Sequence, residues 1–340
     1  MTDGAIADGP TVDRAVGTPL PSSFRVRLLG LSPFAFHPSP FSSVLPEYLT
    51  ESHLSSLIQT AIEEDVGSGD VTTLATVPPD RTAAAQIVAK EPGVAAGLAV
   101  AERIFAAVEA ETKVAWAVYD GASIEAAEPL GTVHGPAQGL LTAERLALNV
   151  MQRMSGIATA TCRMVEAARP HNPDILDTRK TAPGLRRLDK WAVKLGGGSN
   201  HRIGLFDLIL IKDNHIDAAG GVDAALDAAA AYRDQYAPNL DIEIETRTLD
   251  EVRAACTHDA VDIILLDNMV TMTDDGTADV SMLRNAVKIV GDRCRTEASG
   301  TITLATVPAI AATGVDALSS GALTHSVTAL DLSMTLDLDA

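Results

Sequence analysis

Cysteine is scarce in this chain of 340 residues, which contains three, at Cys162, Cys256 and Cys294. They lie far apart, and no Cys-x-x-Cys pair or Cys/His cluster accompanies them. The sequence therefore carries the signature neither of a disulfide framework nor of a structural zinc site. Because disulfides persist mainly in oxidising compartments, this composition predicts a cytoplasmic protein.

Long apolar runs and an excess of positive charge are also missing. No uninterrupted apolar stretch approaches the roughly 20 residues that a transmembrane helix needs, so no membrane association is predicted. The formal net charge is −19, and a chain this acidic repels nucleic acids and anionic membranes. No P-loop, GxGxxG fingerprint or nucleophile elbow is found. The hydrophobic content of 46% is that of an ordinary globular protein.

The first 168 residues divide into two parts by composition. Residues 1–45 lack periodicity and are rich in Gly, Pro, Asp and Ser, which predicts a flexible N-terminal extension. Residues 46–168 mix helical and strand patterns. Within them, VGSGDVTT is interpreted as a Gly-rich turn that leads into an extended segment. The stretch GLLTAERLALNVMQRMSGIATATCRMVEAA predicts a long helix that bends or breaks at Ser155-Gly156.

From about residue 169 onward, short apolar runs alternate with helical patterns. The runs are PDILDT, FDLILIKD, LDIEIET, VDIILLD, RTEASG and VDALSSG. Such alternation is typical of βα units and a parallel sheet. Each run ends in polar residues, which favours a barrel, where the C-terminal strand ends converge on one face that carries the site. Six strands are fewer than eight, so an incomplete or seven-stranded barrel is predicted.

Cationic side chains gather near the ends of the first two of these strands. They are Arg179, Lys180, His201, Arg202 and Lys212. Arginine binds a carboxylate through two parallel hydrogen bonds, and lysine supplies a compact charge. A common cavity lined by them would bind a small molecule with several negative charges, such as a dicarboxylate. Lys190 lies on the helical stretch between Lys180 and His201. A local ion pair with Asp189 explains the presence of this lysine as well as ligand binding does.

Two acidic residues close successive strands. Glu245 ends IEIET and Asp267 ends IILLD. Beside a polyanion these carboxylates would be repulsive unless a cation lies between them, and Mg²⁺ is often held by carboxylates together with substrate phosphates. The alternative is that both acids merely pair with Lys180 and Lys212. Glu243 lies on the same face of its strand as Glu245 and is placed to assist.

Small residues follow the last two strands. The turns EASGT and SSGALTHS contain Ser299, Gly300, Ser320 and Gly321. Loops at this end of late barrel strands often bind phosphate through backbone N–H groups. We therefore expect these turns to bind a phosphate.

The sequence resembles the quinolinate phosphoribosyltransferase family, also called nicotinate-nucleotide pyrophosphorylase (carboxylating). The matching stretches, in family order, are EEDVGSGDVTT, ERLALNVMQRMSGIAT, DTRKTAPGLR, KLGGGSNHRIGLFD, ILIKDNH, EIET, LLDNM and GVDALSSGALTHS. The resemblance implies an α/β fold in which residues 46–168 form an α/β sandwich domain with a connecting helix. Residues 169–325 then form the incomplete, seven-stranded α/β barrel of type II phosphoribosyltransferases, and residues 326–340 return to the sandwich domain.

The resemblance also implies an activity and its site. The expected enzyme is a pentosyltransferase of NAD biosynthesis that converts quinolinate and phosphoribosyl pyrophosphate (PRPP), with Mg²⁺, to nicotinate mononucleotide, CO₂ and pyrophosphate. The expected assembly is a homodimer with shared active sites, or a higher oligomer. By position, the quinolinate pocket comprises Arg179, Lys180, His201, Arg202, Lys212 and, from the partner subunit, Arg145. Lys180, Glu245 and Asp267 are the expected catalytic residues, the two acids hold Mg²⁺ directly or through water, and Ser299, Gly300, Ser320 and Gly321 bind phosphate.

One departure from the family pattern concerns the first phosphate turn. The family often has Ser-Gly-Gly there, whereas this chain has Ser299-Gly300-Thr301. A positive φ at Thr301 would be strained, because the residue is β-branched. Three other functions stay open from the sequence: a related transferase acting on another pyridine or carboxylate, a non-catalytic anion-binding barrel, and a nucleic-acid-binding module, which the net charge disfavours.

Overall fold

The computed structural model describes residues 45–337, so the predicted N-terminal extension lies almost entirely outside the described residues. The helices are α1 (Glu51–Asp65), α2 (Val71–Thr76), α3 (Leu98–Val108), α4 (Ala137–Ala167), α5 (Arg186–Leu195), α6 (Asp213–Ala219), α7 (Val222–Tyr236), α8 (Leu249–Ala255), α9 (Ser281–Val290), α10 (Val307–Ala311) and α11 (Ala322–His325). The strands are β1 (Thr82–Ala89), β2 (Gly93–Val94), β3 (Lys113–Trp116), β4 (Ser123–Ile124), β5 (Pro129–Pro136), β6 (Asp174–Leu176), β7 (Ile209–Ile211), β8 (Ile242–Thr246), β9 (Ile263–Asp267), β10 (Thr271–Met272), β11 (Ala278–Asp279), β12 (Arg295–Ser299), β13 (Ala317–Ser319) and β14 (Leu332–Asp337).

An antiparallel sheet forms the first half of the fold. Its strand order is β14-β1-β5-β3. Along β1 every second residue is buried, namely Ala83, Ala85, Ile87 and Ala89, because successive side chains of a strand point to opposite faces. This apolar face contacts α4, which also packs on α3. The last strand of the chain, β14, pairs with β1 from Ala84↔Asp337 to Ala89↔Leu332.

The second sheet is entirely parallel and positions the site. Its six strands have the order β6-β13-β12-β9-β8-β7, and each of the six predicted apolar runs contains one of them. The outermost strands, β6 and β7, do not pair with each other in this order. Instead, Ser199 makes a parallel bridge to Leu176 of β6. The sheet is therefore an incomplete barrel, as predicted.

The long helix is not broken where the sequence suggested. We expected a bend or break at Ser155-Gly156, but α4 continues from Ala137 to Ala167. Both residues are buried and serve packing. The backbone N–H of Ala96 donates to Ser155 Oγ over 2.9 Å. A Cβ added to Gly156 would lie 2.2 Å from the carbonyl oxygen of Thr328, so glycine is required by close approach of the backbones.

The segment VGSGDVTT also differs from its prediction. Gly67 and Gly69 form the expected turn with positive φ angles of 54° and 138°. The following residues are not extended, however, but form α2. The reason is Asp70, whose Oδ1 accepts a hydrogen bond from the backbone N–H of Thr73 over 3.0 Å. This N-cap satisfies an otherwise unpaired donor and starts the helix.

Within residues 45–337, none of the helices combines the length and the apolar character required to cross a bilayer.

Candidate active site

The C-terminal ends of the parallel strands bring together residues that are far apart in sequence. Asp267, Ser299 and Ser319 stand side by side in register at the ends of β9, β12 and β13. Beside them lies a cavity of about 330 Å³, here called the catalytic cavity. Its lining includes six of the predicted site residues, namely Arg179, Lys180, His201, Arg202, Lys212 and Ser299. The positive side chains thus share one hollow.

A buried ion pair fixes the loop that carries His201 and Arg202. The Lys190 ammonium contacts the Asp177 carboxylate, and neither side chain is exposed to solvent (0% each). Lys190 Nζ also donates to the carbonyl of His201 over 2.9 Å. Asp177 in turn accepts from Asn200 Nδ2 over 2.6 Å and from the His201 N–H over 3.0 Å. Lys190 therefore anchors the site loop, and the alternative that it pairs with Asp189 is wrong.

Asp189 anchors the neighbouring loop instead. Arg153 of α4 donates from Nε and Nη2 to the two Asp189 oxygens over 2.8 Å each. Asp189 also accepts from the N–H of Ala182 over 3.3 Å. On the other side, Thr324 Oγ1 donates to the carbonyl of Lys180 over 2.9 Å. The backbone that presents Lys180 is thereby held from both sides.

Glu245 and Asp267, here called the acidic edge, do not line the catalytic cavity themselves, but Lys212, which does, contacts Glu245. Lys212 Nζ lies 3.2 Å from Glu245 Oε2. Burial raises the pKa of Asp267, and the charge of Glu245 raises it further. The pKa shift indicates that the two carboxylates repel each other. A neighbouring residue that was not predicted, Arg247, contacts Glu245, Asp267 and Asp213.

The positive side chains of the catalytic cavity lie close enough together for Arg179 to affect the pKa of Arg202. Burial lowers the pKa of the Arg202 guanidinium, and the charge of Arg179 adds to this effect. The Nε of Arg179 is buried and lacks a hydrogen-bond partner. A buried guanidinium donor without a partner is costly, so the cavity is suited to an anion that accepts from it.

His201 connects the cationic loop to two buried acids. Its Nε2 lies 3.1 Å from Glu243 Oε2 and 3.6 Å from Glu297 Oε2. Burial acts to lower the pKa of His201, but the close contact with Glu243 and the charge of Glu297 outweigh burial and raise it. Burial and the charge of Glu243 raise the pKa of Glu297 to about 7. Among residues 45–337, these three are also the group of side chains whose possible ligand atoms lie close enough together, within 4.8 Å of one another, to hold a metal ion.

Of the four residues predicted to bind phosphate, Ser299 alone lines the catalytic cavity. Gly300 has a φ of 84°, and a Cβ there would lie 2.1 Å from Asn268 Oδ1. Gly321 adjoins Lys180, since an added Cβ would lie 2.8 Å from Lys180 Cδ. Ser320 is buried and does not line the cavity, whereas Ser319, the last residue of β13, does.

Thr301 adopts the strained conformation that the sequence raised as a concern. Its φ is 57°. Its carbonyl accepts a hydrogen bond from Thr306 Oγ1 over 2.6 Å, which fixes the turn.

Arg145 is not brought to the catalytic cavity by its own chain. It is an exposed residue of α4 and does not line the cavity. The next residue, Leu146, lines a separate groove of about 630 Å³. The groove is largely apolar, with Leu57, Val150, Met154, Leu185 and Leu188 among its lining residues.

Sequence reasoning missed Arg247 and the functional environment of Glu297. Arg247 lies two residues after Glu245, and the arginine in the stretch ETRT was the available signal. Glu297 lies two residues before Ser299 on β12, so the two side chains share one face of the strand. Its partners His201 and Glu243 are distant in sequence, so their contact could not be read from spacing.

Known proteins resemble this chain over most of its length. A quinolinate phosphoribosyltransferase (decarboxylating) 2, mitochondrial, from Nicotiana glauca is 52% identical over 290 residues, which cover 84% of this chain and 82% of that protein. A nicotinate-nucleotide pyrophosphorylase (carboxylating), chloroplastic, from Arabidopsis thaliana is 49% identical over 84% of this chain and 83% of its own length. The crystal structure of NadC from Streptococcus pyogenes superposes with a TM-score of 0.78 at 37% identity, covering 85% of this chain and 98% of that one.

The prediction of a cytoplasmic location is wrong in the light of these relatives. Several of the similar plant proteins are mitochondrial or chloroplastic by name. The prediction depended on a low cysteine content, which argues only against oxidising compartments such as the secretory pathway. That content does not distinguish the cytoplasm from a mitochondrion or a chloroplast.

Two family models account for most of the described chain. The N-terminal domain model of quinolinate phosphoribosyl transferase matches residues 70–155, and the C-terminal domain model matches residues 157–335. The second match contains the parallel sheet and the catalytic cavity. Because the C-terminal model alone matches residues 157–335, and the Nicotiana glauca protein is 52% identical over 290 residues, the chain belongs to the quinolinate phosphoribosyltransferase family.

Proposed function

We propose that this chain transfers a phosphoribosyl group from PRPP to quinolinate and releases CO₂ and pyrophosphate, giving nicotinate mononucleotide for NAD biosynthesis. One observation carries the proposal: the catalytic cavity is lined by Arg179, Lys180, His201, Arg202 and Lys212 in a chain of net charge −19. The family to which the chain belongs supports the same reaction.

The cations account for binding of the pyridine diacid. Arg179 offers a buried Nε without a partner, and Arg202 lies close enough for its pKa to be lowered by the charge of Arg179. Two guanidinium groups in one cavity match two carboxylates, each through paired hydrogen bonds. Because the Lys190–Asp177 pair and Asp207 hold the loop, the site is largely formed before substrate binds. Preformed geometry lowers the entropic barrier to attack of the ring nitrogen on the sugar.

The charges that develop during the transfer account for the roles of the remaining site residues. As the bond between ribose and pyrophosphate breaks, positive charge grows on the sugar and negative charge grows on the leaving group. Lys180 borders the Gly321 turn, where it can stabilise the pyrophosphate. Glu245 and Asp267, at the acidic edge, are placed to hold the ribose hydroxyls and the cationic sugar. After transfer, the quaternary ring nitrogen stabilises the electron pair left on the ring when CO₂ departs.

The acidic edge also fits a magnesium ion. Carboxylate oxygens are suitable ligands for Mg²⁺, and the raised pKa of Asp267 beside Glu245 shows a repulsion that a divalent cation relieves. When bound to Glu245 and Asp267, directly or through water, Mg²⁺ supplies positive charge that neutralises the leaving pyrophosphate.

The proposed assembly is a homodimer in which Arg145 completes the partner's site. Arg145 is exposed and lies outside the catalytic cavity of its own chain. The next residue, Leu146, lines the apolar groove that also contains Leu57 and Val150, and burial of such a surface favours association. A second copy that covers the groove would bury these apolar side chains.

A direct assay tests the activity. Purified protein is incubated with quinolinate and PRPP, with and without Mg²⁺, and nicotinate mononucleotide and CO₂ are measured. We expect turnover that requires Mg²⁺ and falls by about 100-fold or more in Lys180→Ala, because electrostatic stabilisation of the leaving group is lost. Lys288→Ala, which removes an exposed lysine of α9, is the matched control and should retain full activity. Absence of product from the folded wild type contradicts the proposal.

The shared site is tested by mixing two inactive variants. Lys180→Ala and Arg145→Ala proteins are each assayed alone and after subunit exchange. Hybrid dimers contain one site with both native residues, so we expect partial recovery of activity. If exchange is verified by mass spectrometry and no activity returns, Arg145 does not act across the interface.

Two other candidate functions are addressed by the same assay. A transferase for another pyridine would use nicotinate in place of quinolinate, and the paired guanidinium groups favour the diacid. A non-catalytic anion-binding barrel would bind quinolinate without turnover. Such a barrel has no evident use for the acidic edge formed by Glu245 and Asp267.

A further inference from the structure

A second cavity approaches the catalytic cavity from the opposite end of the barrel. This lower cavity measures about 480 Å³, and its lining includes Asp174 and Arg295, which begin β6 and β12. The catalytic cavity lies at the other ends of the same strands. His201, Arg202 and Glu297 line both cavities. These three side chains therefore form the partition between them.

The partition contains two buried carboxyl groups around one imidazole. The side chains of Glu243, Glu297 and His201 are 0%, 3% and 9% exposed. Both carboxylate oxygens of Glu243, and Oε1 of Glu297, have no hydrogen-bond partner. The backbone N–H of Arg202 donates to His201 Nδ1 over 2.7 Å, so the ring presents Nε2 to the acids. Two ionised carboxylates at this depth are unfavourable, and a proton on one of them relieves the repulsion.

The proposed reaction consumes one proton for every molecule of CO₂ released. Loss of CO₂ leaves an electron pair on the ring carbon, and a proton must replace the carboxylate there. The guanidinium groups of Arg179 and Arg202 do not release protons at neutral pH. The other titratable groups that line the catalytic cavity are Lys180, His201, Lys212 and Glu297.

We propose that Glu297, positioned by His201, donates the proton that replaces the departing carboxylate on the pyridine ring. This inference rests on the proposed function. The bond between the ring carbon and the carboxylate breaks, CO₂ leaves, and the electron pair stays on the ring carbon. That carbon takes the proton of the Glu297 carboxyl group, and the resulting carboxylate is stabilised by the Nε2–H of His201. A proton from solvent then restores Glu297 through the lower cavity.

The electrostatic surroundings of Glu297 suit this role. Burial and the negative charge of Glu243, from β8, favour the protonated form. The charge of His201, a hydrogen bond with Ser319 and the charge of Arg295 favour the ionised form. Because the pKa lies at about 7, the group can both hold and release a proton near neutral pH. The other charged groups facing the catalytic cavity are Arg179, Lys180, Arg202 and Lys212. Their positive charge aids ionisation of Glu297 once the anionic carboxylate has left.

The test compares Glu297→Gln with wild type at several pH values. The amide cannot donate in the same way, so we expect turnover to fall by about 100-fold, the usual loss for a missing general acid. Binding of quinolinate, measured by calorimetry without PRPP, should change by less than about threefold. The mononucleotide that still carries both carboxylates should accumulate, because a ring carbon that is not protonated recaptures CO₂. In wild type the rate should decline as pH rises through about 7, and this decline should be absent from the residual rate of Glu297→Gln.

Two further variants separate a chemical role from a structural one. Glu297→Asp keeps a carboxyl group, so it should restore part of the rate together with a decline at high pH. Asp234→Asn makes the same type of change at an exposed position of α7 and should behave as wild type. Unchanged turnover and pH profile in Glu297→Gln would overturn the inference. If wild type itself fails to make nicotinate mononucleotide, the proposed function fails instead.

Discussion

The guanidinium of Arg247 lies between the carboxylates of Glu245 and Asp267. Its Nη2 is 3.1 Å from Glu245 Oε1, and its Nε is 3.6 Å from Asp267 Oδ2. The same Nη2 contacts Asp213 over 2.8 Å. The protein thus supplies its own cation at the edge where a magnesium ion is proposed to bind. Because the Arg247 side chain is 51% exposed, it is free to move when a metal arrives.

We predict that Arg247→Ala strengthens Mg²⁺ binding by the free protein. Removal of the competing cation leaves Glu245 and Asp267 without this neutralising partner, which increases their attraction for a divalent ion. The expected change is about 3- to 10-fold in the dissociation constant, equivalent to a surface ion-pair contribution of about 1 kcal/mol. Calorimetric titration with MgCl₂ measures it. Arg253→Ala, which removes an exposed arginine of α8, is the control, and weaker binding by Arg247→Ala would refute the prediction.

The buried pair Lys190–Asp177 should be strongly coupled. Lys190→Met alone leaves the buried Asp177 charge without its partner, so we expect the free energy of unfolding to fall by about 3–5 kcal/mol. The double variant Lys190→Met, Asp177→Leu removes both charges and should recover much of that loss. Urea denaturation of wild type, Lys190→Met, Asp177→Leu and the double variant measures the coupling between the two residues. Additive losses in the double variant would show that the two residues stabilise the fold independently.

Replacement of Thr301 by glycine should stabilise the protein. The φ of 57° is costly for a β-branched residue but not for glycine. After the entropic cost of glycine in the unfolded chain is subtracted, the expected gain is about 1 kcal/mol. Denaturation curves of Thr301→Gly and of Thr303→Gly are compared. Thr303 has no positive φ, so glycine there should destabilise the protein, and equal effects of the two substitutions would exclude strain as the cause.

Glu297 should make stability depend on pH below neutrality. Its pKa is raised from 4.5 to about 7 in the folded protein. Between these values the folded state holds a proton that the unfolded state has lost, so rising pH favours unfolding. This contribution to stability is fully present below pH 4.5 and is lost as pH approaches 7. In chemical denaturation from pH 5 to 7, wild type should lose stability relative to Glu297→Gln. Parallel curves for the two proteins would contradict the assignment.

The parallel sheet and much of the catalytic cavity could be predicted from the sequence. The reason is topological, since strands of a barrel all deliver their last residues to one face. Lys180 and Lys212 follow β6 and β7, and Ser299 is the last residue of β12. The rule alone therefore predicts that these residues lie in one cavity, as they do. The family resemblance added the identities of the substrates.

Interactions that depend on three-dimensional packing could not be predicted from the sequence. Lys190 and Asp189 are neighbours in sequence, yet each pairs with a residue of another element. Gly156 looked like a helix breaker because its propensity is poor, whereas close approach of Thr328 decides its role. In both cases tertiary contacts overrode the local preference. The functional roles of the predicted site residues remain predictions that the variants above address.

The pairing of β14 with β1 has a consequence for synthesis of the chain on the ribosome. In the order β14-β1-β5-β3, one edge of β1 is covered solely by residues 332–337. That edge therefore stays unpaired during synthesis until residues 332–337 have left the exit tunnel. Exposed strand edges recruit other strands, so nascent chains of this protein are vulnerable to mispairing until β14 has emerged. Slow decoding between the codons of β1 and those of β14 would prolong this hazard, and a chaperone that shields β1 would remove it.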